Sequence, residues 1–430
     1  MIQHLPYQIE GAEWLADNAN AMLADEAGLG KTGQAIRAAK LVKAKRPVVI
    51  APAVAVTHWL REFEMWWPGG PKPIVVSYDM MAKHRKIRDE LKALQPDVLI
   101  ADEAQYLKSR DSRRTRAFYG PYCKNDGLAG KAARVWLLSA TPAPNDGSEY
   151  WPHLRALWPA LISRQNFVEF VQHYFTFDNT RYGLRVLGNK RPEELRAILR
   201  KVALRRMVFN VLPQLPAWNW EAMTADPVEA INAIRRMEAE DPAVAALHAA
   251  LDNDESFEAS VHTATLRRLI GEAKAPAIAG SVSQDLRYGQ LNKVVIFAQH
   301  HSVLNLLHAH LGNAGFNPVQ LTGLSSTQQR QAAIDRFQTD PTCRVFLGQN
   351  KAAGTVITLT AANHVELVEP SWVPDDNYQM AKRVHRIGQK LPVFVRVWGL
   401  AGSIDDKISR TCVRKSRNAR ELNFEQEKAA

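Results

Sequence analysis

Short apolar runs rich in β-branched residues recur along the chain, and each is followed by a polar motif and then by a stretch of helical composition. Clear examples are residues 48–50, 98–100 and 135–138. This alternation predicts an α/β fold with a parallel sheet. Ligands bind beyond the carboxyl ends of the strands in open parallel sheets, so the polar motifs should converge on one edge.

The same pattern resumes at four later runs, which predicts a second sheet: 294–297, 345–347, 365–368 and 393–397. From about 150 to 290 the composition is helical and no strand signal compares with the others. We therefore predict two parallel-sheet lobes with helical protrusions. The first covers 1–215, with a helical insertion from about 150. The second covers 216–430, with a helical protrusion to about 290 and a basic helix at its end. Two prolines, Pro213 and Pro216, mark the linker.

Composition narrows the class of protein. Hydrophobic residues make up 46% of 430 residues, which suits two or three folded domains. The cysteines Cys123, Cys343 and Cys412 are far apart and lack metal or redox spacing, which favours a reducing compartment. No run approaches the roughly 18 apolar residues of a spanning helix, so we expect a soluble protein. The net charge of +11 favours a polyanion such as nucleic acid, with a solvated basic surface as the alternative.

A glycine-rich turn, D-E-A-G-L-G-K-T, begins at Asp25. Gly28 and Gly30 allow unusual backbone angles and close approach, Lys31 can reach the β and γ phosphates, and Thr32 can place its hydroxyl on magnesium. The helix that follows would direct its positive end at the phosphates. An aspartate stands where a strict phosphate-binding loop has its first glycine, and a chance turn is the alternative. The turn predicts nucleotide binding.

An acidic pair follows the run at 98–100. Asp102 is placed to hold magnesium, and Glu103 to take a proton from the attacking water. Solvated carboxylates are the alternative. Gln105 could bond either the γ-phosphate region or the Ser139-Ala140-Thr141 segment. We predict that Ser139 and Thr141 couple the nucleotide state to movement of the lobes.

Two late arginines complete the predicted chemistry. Arg383 and Arg386 are three residues apart, hence on one face if the segment is helical. A planar guanidinium suits the spread charge of a phosphoryl transition state. We predict that both act as arginine fingers across a cleft between the lobes, where ATP binds. Contact with a nucleic-acid backbone and a surface ion pair are the alternatives.

These motifs together resemble superfamily-two helicases, and within them the Snf-type ATPases of chromatin remodellers and the HepA-related annealing helicases. The resemblance spans nearly the whole chain, from L-P-Y-Q at Leu5 to R-V-H-R-I-G-Q ending at Gln389, which is the most specific string. Leu204-Arg205-Arg206 resembles the linker of this branch. L-R-R-L at Leu266 followed by A-K-A-P favours the annealing-helicase side.

The resemblance implies ATP and Mg²⁺ as cofactors and sequence-independent contact with duplex or forked DNA. It adds Gln8, Gly354 and Gln379 as ATP contacts. The residues that it implies for DNA binding are Thr57, Trp59, Thr322, Lys351 and Trp372. Core packing is the alternative for both tryptophans, and the basic tail Arg414, Lys415, Arg417 and Arg420 could also contact phosphate.

Three positions depart from the family pattern. Gln105 replaces a histidine, Val208 stands where lysine is common, and Val356 stands where glycine is expected. Val356 puts in doubt how closely the backbone there can approach the nucleotide or the DNA.

Three hypotheses result. The favoured one is a DNA-dependent ATPase that acts as a double-stranded DNA translocase or remodeller. The second is a strand-separating or strand-annealing helicase, and the third is a nucleotide-switched DNA-binding module that hydrolyses weakly. We expect a monomer with no membrane contact, located in the cytoplasm or nucleoid of a bacterial or viral host cell, or in the nucleus of a eukaryote. Since the chain begins and ends close to the outermost motifs, we expect a separate partner protein to supply targeting.

Overall fold

A computed structural model describes residues 4–162, 166–180, 183–212, 215–216, 218–225, 261–350, 357–386, 388–400, 403, 405 and 408. The described residues of Met1–Pro213 form one compact unit, and those of Gln214–Arg414 form a second. None of the helices in these ranges is both long and apolar enough to cross a bilayer.

A parallel sheet forms the centre of the first unit. Its strands are β1 (Asn20–Leu23), β2 (Pro47–Ala51), β3 (Ile74–Ser77), β4 (Val98–Asp102), β5 (Val135–Leu138) and β8 (Ala203–Leu204). They lie in the order β3-β2-β4-β5-β1-β8. The three runs predicted as strands are β2, β4 and β5, and their residues are buried almost throughout. Burial on both faces explains why these strands are continuous apolar runs rather than alternating ones.

Helices cover both faces of this sheet. They are α1 (Pro6–Asp17), α2 (Lys31–Leu41), α3 (Val56–Trp66), α4 (Tyr78–Lys83), α5 (Arg85–Leu94), α6 (Arg113–Tyr119), α7 (Trp151–Leu157), α8 (Phe167–Tyr174), α9 (Pro192–Val202) and α10 (Val208–Val211). Short 3-10 turns occur at Ala53–Ala55, Ala104–Leu107, Pro121–Cys123, Ala129–Lys131, Gly147–Tyr150 and Pro159–Leu161. One core cluster joins α4–α9 to one face of the sheet. A second cluster joins α1–α3 to the other face.

The region from 150 to 290 contains strands that the sequence did not predict. Strands β6 (Phe175–Thr180) and β7 (Gly183–Asn189) form an antiparallel hairpin, while β8 and β9 (Trp218–Thr224) are edge strands of the two sheets. The prediction of purely helical protrusions is therefore wrong for these segments. Edge strands and hairpins lack a continuous apolar run because one side faces solvent, and most of β9 is exposed. The long helix α11 (Val261–Arg287) agrees with the helical portion of the prediction.

The second unit repeats the architecture. Its strands are β9, β10 (Val294–Ala298), β11 (Val319–Leu321), β12 (Val345–Gln349), β13 (His364–Leu367) and β14 (Val393–Gly399), in the parallel order β11-β12-β10-β13-β14-β9. The helices are α11, α12 (His301–Asn313), α13 (Thr327–Thr339) and α14 (Pro374–Ala381). Core clusters lie on both faces of the sheet. The predicted fold class, α/β with two parallel-sheet lobes, is confirmed.

Candidate active site

The predicted motifs of the first unit meet at the carboxyl edge of its sheet. Strand β1 leads into the glycine-rich turn, β4 ends at Asp102, and β5 ends one residue before Ser139. Strand β5 pairs with both β1 and β4, so the three motifs lie at the ends of neighbouring strands. The predicted convergence on one edge is confirmed.

The glycines of the turn have backbone angles that favour glycine. Gly28 and Gly30 have φ of 91° and 72°, in the left-handed region. A Cβ atom on Gly30 would lie 2.4 Å from Nε2 of Gln8, so the glycine also allows the glutamine amide to approach. That amide donates to the backbone oxygen of Leu29 at 3.3 Å. Helix α2 begins at Lys31, so its N-terminus points into the turn.

A buried ion pair explains the aspartate at the first position of the turn. Asp25 is completely buried, and its carboxylate accepts from Nε of Arg206 at 3.0 Å and from Nη2 at 2.5 Å. Gln34 donates to the same carboxylate at 3.1 Å. Arg205 donates to the backbone oxygens of Ala24 and Ala140. The two arginines that follow β8, Arg205 and Arg206, therefore hold the glycine-rich turn in place.

The ammonium group of Lys31 lies against the turn. Its Nζ donates to the backbone oxygen of Asp25 at 2.7 Å and to that of Glu26 at 3.4 Å. Burial lowers the pKa of Lys31, while the carboxylates of Glu103, Asp25 and Asp102 act in the opposite direction. These carboxylates favour the charged amine, which is the form that compensates phosphate charge.

Two aromatic side chains orient Asp102. Trp59 donates from Nε1 to Oδ2 of the carboxylate at 2.8 Å, and the Tyr78 hydroxyl donates to the Asp102 backbone oxygen at 2.8 Å. Burial, followed by repulsion from Glu103, raises the pKa of Asp102. Trp59 is completely buried, so the prediction that it contacts DNA is wrong. Its indole is committed to the core and to this carboxylate.

A chain of hydrogen bonds joins the acidic pair to the end of β5. Gln105 donates from Nε2 to the Glu103 carboxylate at 2.7 Å and accepts from the Ser139 hydroxyl at 2.6 Å. The backbone N–H of Thr141 donates to that hydroxyl at 3.1 Å. Glu103 has φ of 52°, a left-handed angle that costs a non-glycine residue about 1–3 kcal/mol. Gln105 thus takes the second of its predicted routes, toward Ser139.

The donor set fits magnesium bound together with a nucleotide. Within the described ranges no group of three or more His, Cys, Asp or Glu side chains could hold a metal ion. Magnesium is usually held by one or two carboxylates plus substrate phosphates and water rather than by an all-protein cage. Asp102 and the hydroxyl of Thr32, the second residue of α2, supply such a partial set.

The predicted arginines lie beyond a helix rather than within one. Helix α14 ends at Ala381, and both arginines follow it in irregular structure, so the condition for placing them on one helical face is not met. Arg386 donates from Nη1 to the Ile357 backbone oxygen and to the Thr358 hydroxyl, both at 3.2 Å. The backbone oxygen of Arg383 accepts from the N–H of Leu359.

The other predicted residues differ in their exposure to solvent. Gln379 is half-buried in α14, and Thr57 is exposed in the first turn of α3. Thr322 is mostly buried, and its hydroxyl accepts from the N–H of Leu324. Trp372 packs against a small apolar cluster of the second unit. The predicted residues outside the described ranges are Lys351, Gly354, Val356, Arg414, Lys415, Arg417 and Arg420.

Reasoning from sequence missed the residues that hold the site together. Arg206 was recognised only as a member of the linker motif, yet it pairs with Asp25, which lies 181 residues earlier. Gln34 was recognised only as the glutamine that follows the glycine-rich turn, and Tyr78 was not singled out, although both touch site residues. The available signal for Arg206 was the aspartate in the glycine-rich turn, since a buried carboxylate requires a partner.

Two known protein domains match the chain. The SNF2-related domain matches residues 7–74 and 70–227, which together make up just over half of the chain. The chain belongs to the SNF2-related family. The helicase conserved C-terminal domain matches residues 279–388, in the second unit.

Curated relatives extend the match along the chain. The Caenorhabditis elegans homolog of SWI/SNF-related matrix-associated actin-dependent regulator of chromatin subfamily A-like protein 1 is 30% identical over 428 residues, covering 93% of this chain and 59% of that protein. Mouse DNA annealing helicase and endonuclease ZRANB3 is 27% identical over 449 residues, covering 96% of this chain and 40% of that protein. The chain thus spans about half the length of the curated relatives it matches.

A solved structure also aligns along the chain. The Sulfolobus solfataricus SWI2/SNF2 ATPase core in complex with dsDNA covers 100% of this chain and 98% of that chain, at 21% identity and a TM-score of 0.44, which is a weak likeness.

Proposed function

We propose that the chain is a DNA-dependent ATPase that uses ATP and Mg²⁺ and acts as a double-stranded DNA translocase. One observation carries the proposal: Lys31 and the acidic pair Asp102 and Glu103 follow β1 and β4, the two strands that flank β5, and Gln105 and Ser139 connect the acidic pair to the end of β5. Family membership, together with relatives named as a chromatin regulator and as a DNA annealing helicase, supports this choice of reaction and substrate.

Each side chain has a role in this proposal. Asp102 and Thr32 would hold the magnesium ion, which when bound neutralises phosphate charge. Gly28, Gly30 and the N-terminus of α2 offer backbone N–H groups to the phosphates, and Lys31 adds its ammonium charge. Glu103 would accept the proton of the attacking water, with its carboxylate oriented by the Gln105 amide. Gln8 and Gln379 would contact the nucleotide.

DNA contacts rest on charge and on the family resemblance. The net charge of +11 favours phosphate contacts over reading of bases. Thr57 is exposed, which suits the contact predicted for it. Thr322 and Trp372 stay predictions, and so do the roles of Arg383 and Arg386 as arginine fingers in a cleft that closes for catalysis.

The test compares hydrolysis with duplex, single-stranded and forked DNA. We expect duplex DNA to stimulate hydrolysis strongly, and Lys31→Ala to abolish turnover without weakening DNA binding. Triplex displacement then tests movement, because a third strand is stripped only if the protein travels along the duplex. ATP-dependent loss of the third strand without duplex separation supports a translocase. Nucleotide binding with no DNA-stimulated hydrolysis would instead indicate a nucleotide switch.

The strand-separating alternative stays a prediction. The β6–β7 hairpin packs on the core of the first unit through Val186. Under this alternative the protein unwinds a tailed duplex, and absence of unwinding by the unaltered protein would eliminate it.

A further inference from the structure

A basic pocket lies on the first unit, between α5 and the segment that contains α6. Its volume is about 320 Å³, and its lining includes Arg88, Lys92, Arg113 and Arg116. One acidic side chain, Asp126, also lines it. We propose that this pocket is a second binding site for backbone phosphates of DNA, separate from the candidate nucleotide site at the carboxyl edge of the sheet.

The position of the pocket separates it from the nucleotide site. Lys92 lies near the end of α5, which leads into the first residue of β4, whereas Asp102 is the last residue of that strand. The four steps from the first to the last residue of this strand span about 13 Å at about 3.3 Å per residue. The helices α5 and α6 also belong to the core cluster on the face of the sheet opposite α2. The pocket and the glycine-rich turn therefore cannot share one ligand phosphate.

The arginines of residues 110–116 divide into two groups. Arg110 forms an ion pair with Asp111 at 2.9 Å, and Arg114 forms one with Asp79 at 2.8 Å. Arg113 and Arg116 are exposed, line the pocket, and form no ion pair with any residue that the structure describes. They are three apart on α6, hence neighbours on its surface. Charge left uncompensated at one spot favours an anionic partner.

The inner wall of the pocket is built by fixed groups. Arg88 is half-buried, and its Nη1 donates to the backbone oxygens of Met81 at 3.0 Å and Ala82 at 3.3 Å. Gly120 has φ of 87°, and a Cβ there would lie 1.5 Å from the Asp126 carboxylate. The glycine thus lets the loop fold against α6. The pocket is a formed concavity whose basic side chains outnumber its carboxylate by four to one.

The chemistry of the lining selects phosphate. Guanidinium groups match phosphate oxygens with paired donors, and each keeps its charge at any physiological pH. The pocket is open to solvent along α6, as an extended polyanion requires. The choice of DNA as the source of the phosphates rests on the proposed function.

The test is the salt dependence of DNA binding by the full chain. Each phosphate contact contributes about 0.9 to the slope of log K against log salt, so Arg113→Gln/Arg116→Gln should reduce the slope by about 1.8. Measured against an unchanged affinity at about 1 M salt, a slope smaller by about 1.8 lowers the affinity about 60-fold at about 100 mM salt. The matched control is Lys40→Gln/Lys45→Gln, which removes two charges from exposed side chains elsewhere on the unit and should leave the slope unchanged. An unchanged slope in the pocket variant, or equal losses in the two variants, would overturn the proposal.

Two DNA forms identify the source of the phosphates. If Arg113→Gln/Arg116→Gln reduces the salt slope with a linear duplex and with a three-way junction alike, the pocket binds the same duplex as the motor. If the slope falls only with the junction, the pocket binds a second arm of that junction. Both results support the site. Maximal hydrolysis at saturating DNA should match the unaltered protein within about twofold, since the pocket lies outside the chemistry. If DNA never stimulates hydrolysis, the proposed function fails, while the slope still decides on the pocket.

Discussion

Both units have a buried ion pair near the carboxyl end of the sheet, but the two pairs stabilise different segments. In the first unit Arg206 pairs with Asp25 inside the glycine-rich turn itself. In the second unit Lys274 of α11 donates to the Asp405 carboxylate at 2.7 Å and to the backbone oxygens of Val368 and Trp398. The first pair fixes the glycine-rich turn, and the second fixes the ends of strands.

The catalytic candidates follow the same division. In the first unit the acidic pair receives hydrogen bonds from Trp59 and Gln105, so its carboxylates are held in place. In the second unit Arg383 and Arg386 lie on turns after α14. The first unit thus holds its carboxylates with side-chain donors, whereas in the second unit the Arg386 guanidinium bonds a backbone oxygen and the Thr358 hydroxyl.

The largest expected effect concerns the arginines. Arg383→Ala and Arg386→Ala should each lower turnover by about 10³-fold or more while changing ATP affinity little, because a finger acts on transition-state charge. The matched control is Arg344→Ala: this guanidinium also bonds backbone oxygens of the second unit, those of Leu291 and Asn292, but at the start of β12. Steady-state kinetics with saturating DNA measure the effect. Equal losses in the control would reduce Arg386 to a structural role.

Glu103→Gln should lower turnover by about 10²- to 10⁴-fold, the usual contribution of a general base. ATP binding should persist, since the amide keeps the size of the side chain and removes repulsion beside Asp102. Rapid-quench hydrolysis and fluorescent-nucleotide binding separate the two steps. Glu64→Gln, an exposed glutamate on α3, serves as the control. Hydrolysis at the unaltered rate would remove Glu103 from the role of base.

The two buried pairs should differ in what their loss affects. Arg206→Met leaves the Asp25 carboxylate buried and uncompensated, and should lower the free energy of unfolding by about 3–5 kcal/mol. Lys274→Met should cost a similar amount through Asp405. Only Arg206→Met should also weaken nucleotide binding, because only that pair holds the turn. Urea unfolding and nucleotide titration measure both effects, and Asp25→Asn/Arg206→Met should recover some of the lost stability.

Trp59→Phe tests whether the acidic pair is preorganised by its neighbours. The ring is kept and only the donor to Asp102 is lost, so the magnesium concentration for half-maximal hydrolysis should rise about 10- to 100-fold, as for other partners of metal ligands. Magnesium-dependent nucleotide binding gives a readout independent of turnover. Trp136→Phe, another buried indole of the same core, should leave the magnesium requirement unchanged.

The smallest predicted effect is a pH response of opposite sign in the two units. Burial lowers the pKa of His153 in the first unit to about 3. Below pH 6.5 this histidine therefore binds a proton in the unfolded state but not in the folded state. Stability from this group is complete above pH 6.5 and falls by about 1.4 kcal/mol per unit below it. Burial raises the pKa of Glu366 in the second unit to about 7. There the folded state takes up the proton first, and stability rises as the pH falls from about 7 to 4.5.

Amide hydrogen exchange of β5 and β13 at about pH 7 and 5.5 reads the two units separately, after correction for the intrinsic exchange rate. His153→Gln should flatten the response of β5 alone, and Glu366→Gln that of β13 alone. Tyr119→Phe removes the hydroxyl partner of His153 and keeps the histidine, so the response of β5 should persist. Identical pH responses in both strands would contradict the assignment of these two groups.

Several features followed from the sequence by itself. The central strands β2, β4, β5, β10 and β12 are runs of apolar residues buried on both faces, and such runs are visible locally. The glycine-rich turn and the acidic pair lie directly after strands, so their shared edge followed from the topology of parallel sheets. The coupling of Gln105 to Ser139 was one of two routes that the sequence left open.

Only the tertiary structure decided how the site is held. The partners of Asp25 and Asp102 lie 181 and 43 residues away along the chain, beyond the reach of any local pattern. The same limit hid β8 and β9, because a two-residue strand and an exposed edge strand carry no apolar run. The sequence also left the burial of Trp59 undecided, since an indole suits a surface contact and a core equally well. Local sequence encodes which segments are buried, whereas the pairing of polar groups depends on contacts that exist only once the sheet has formed.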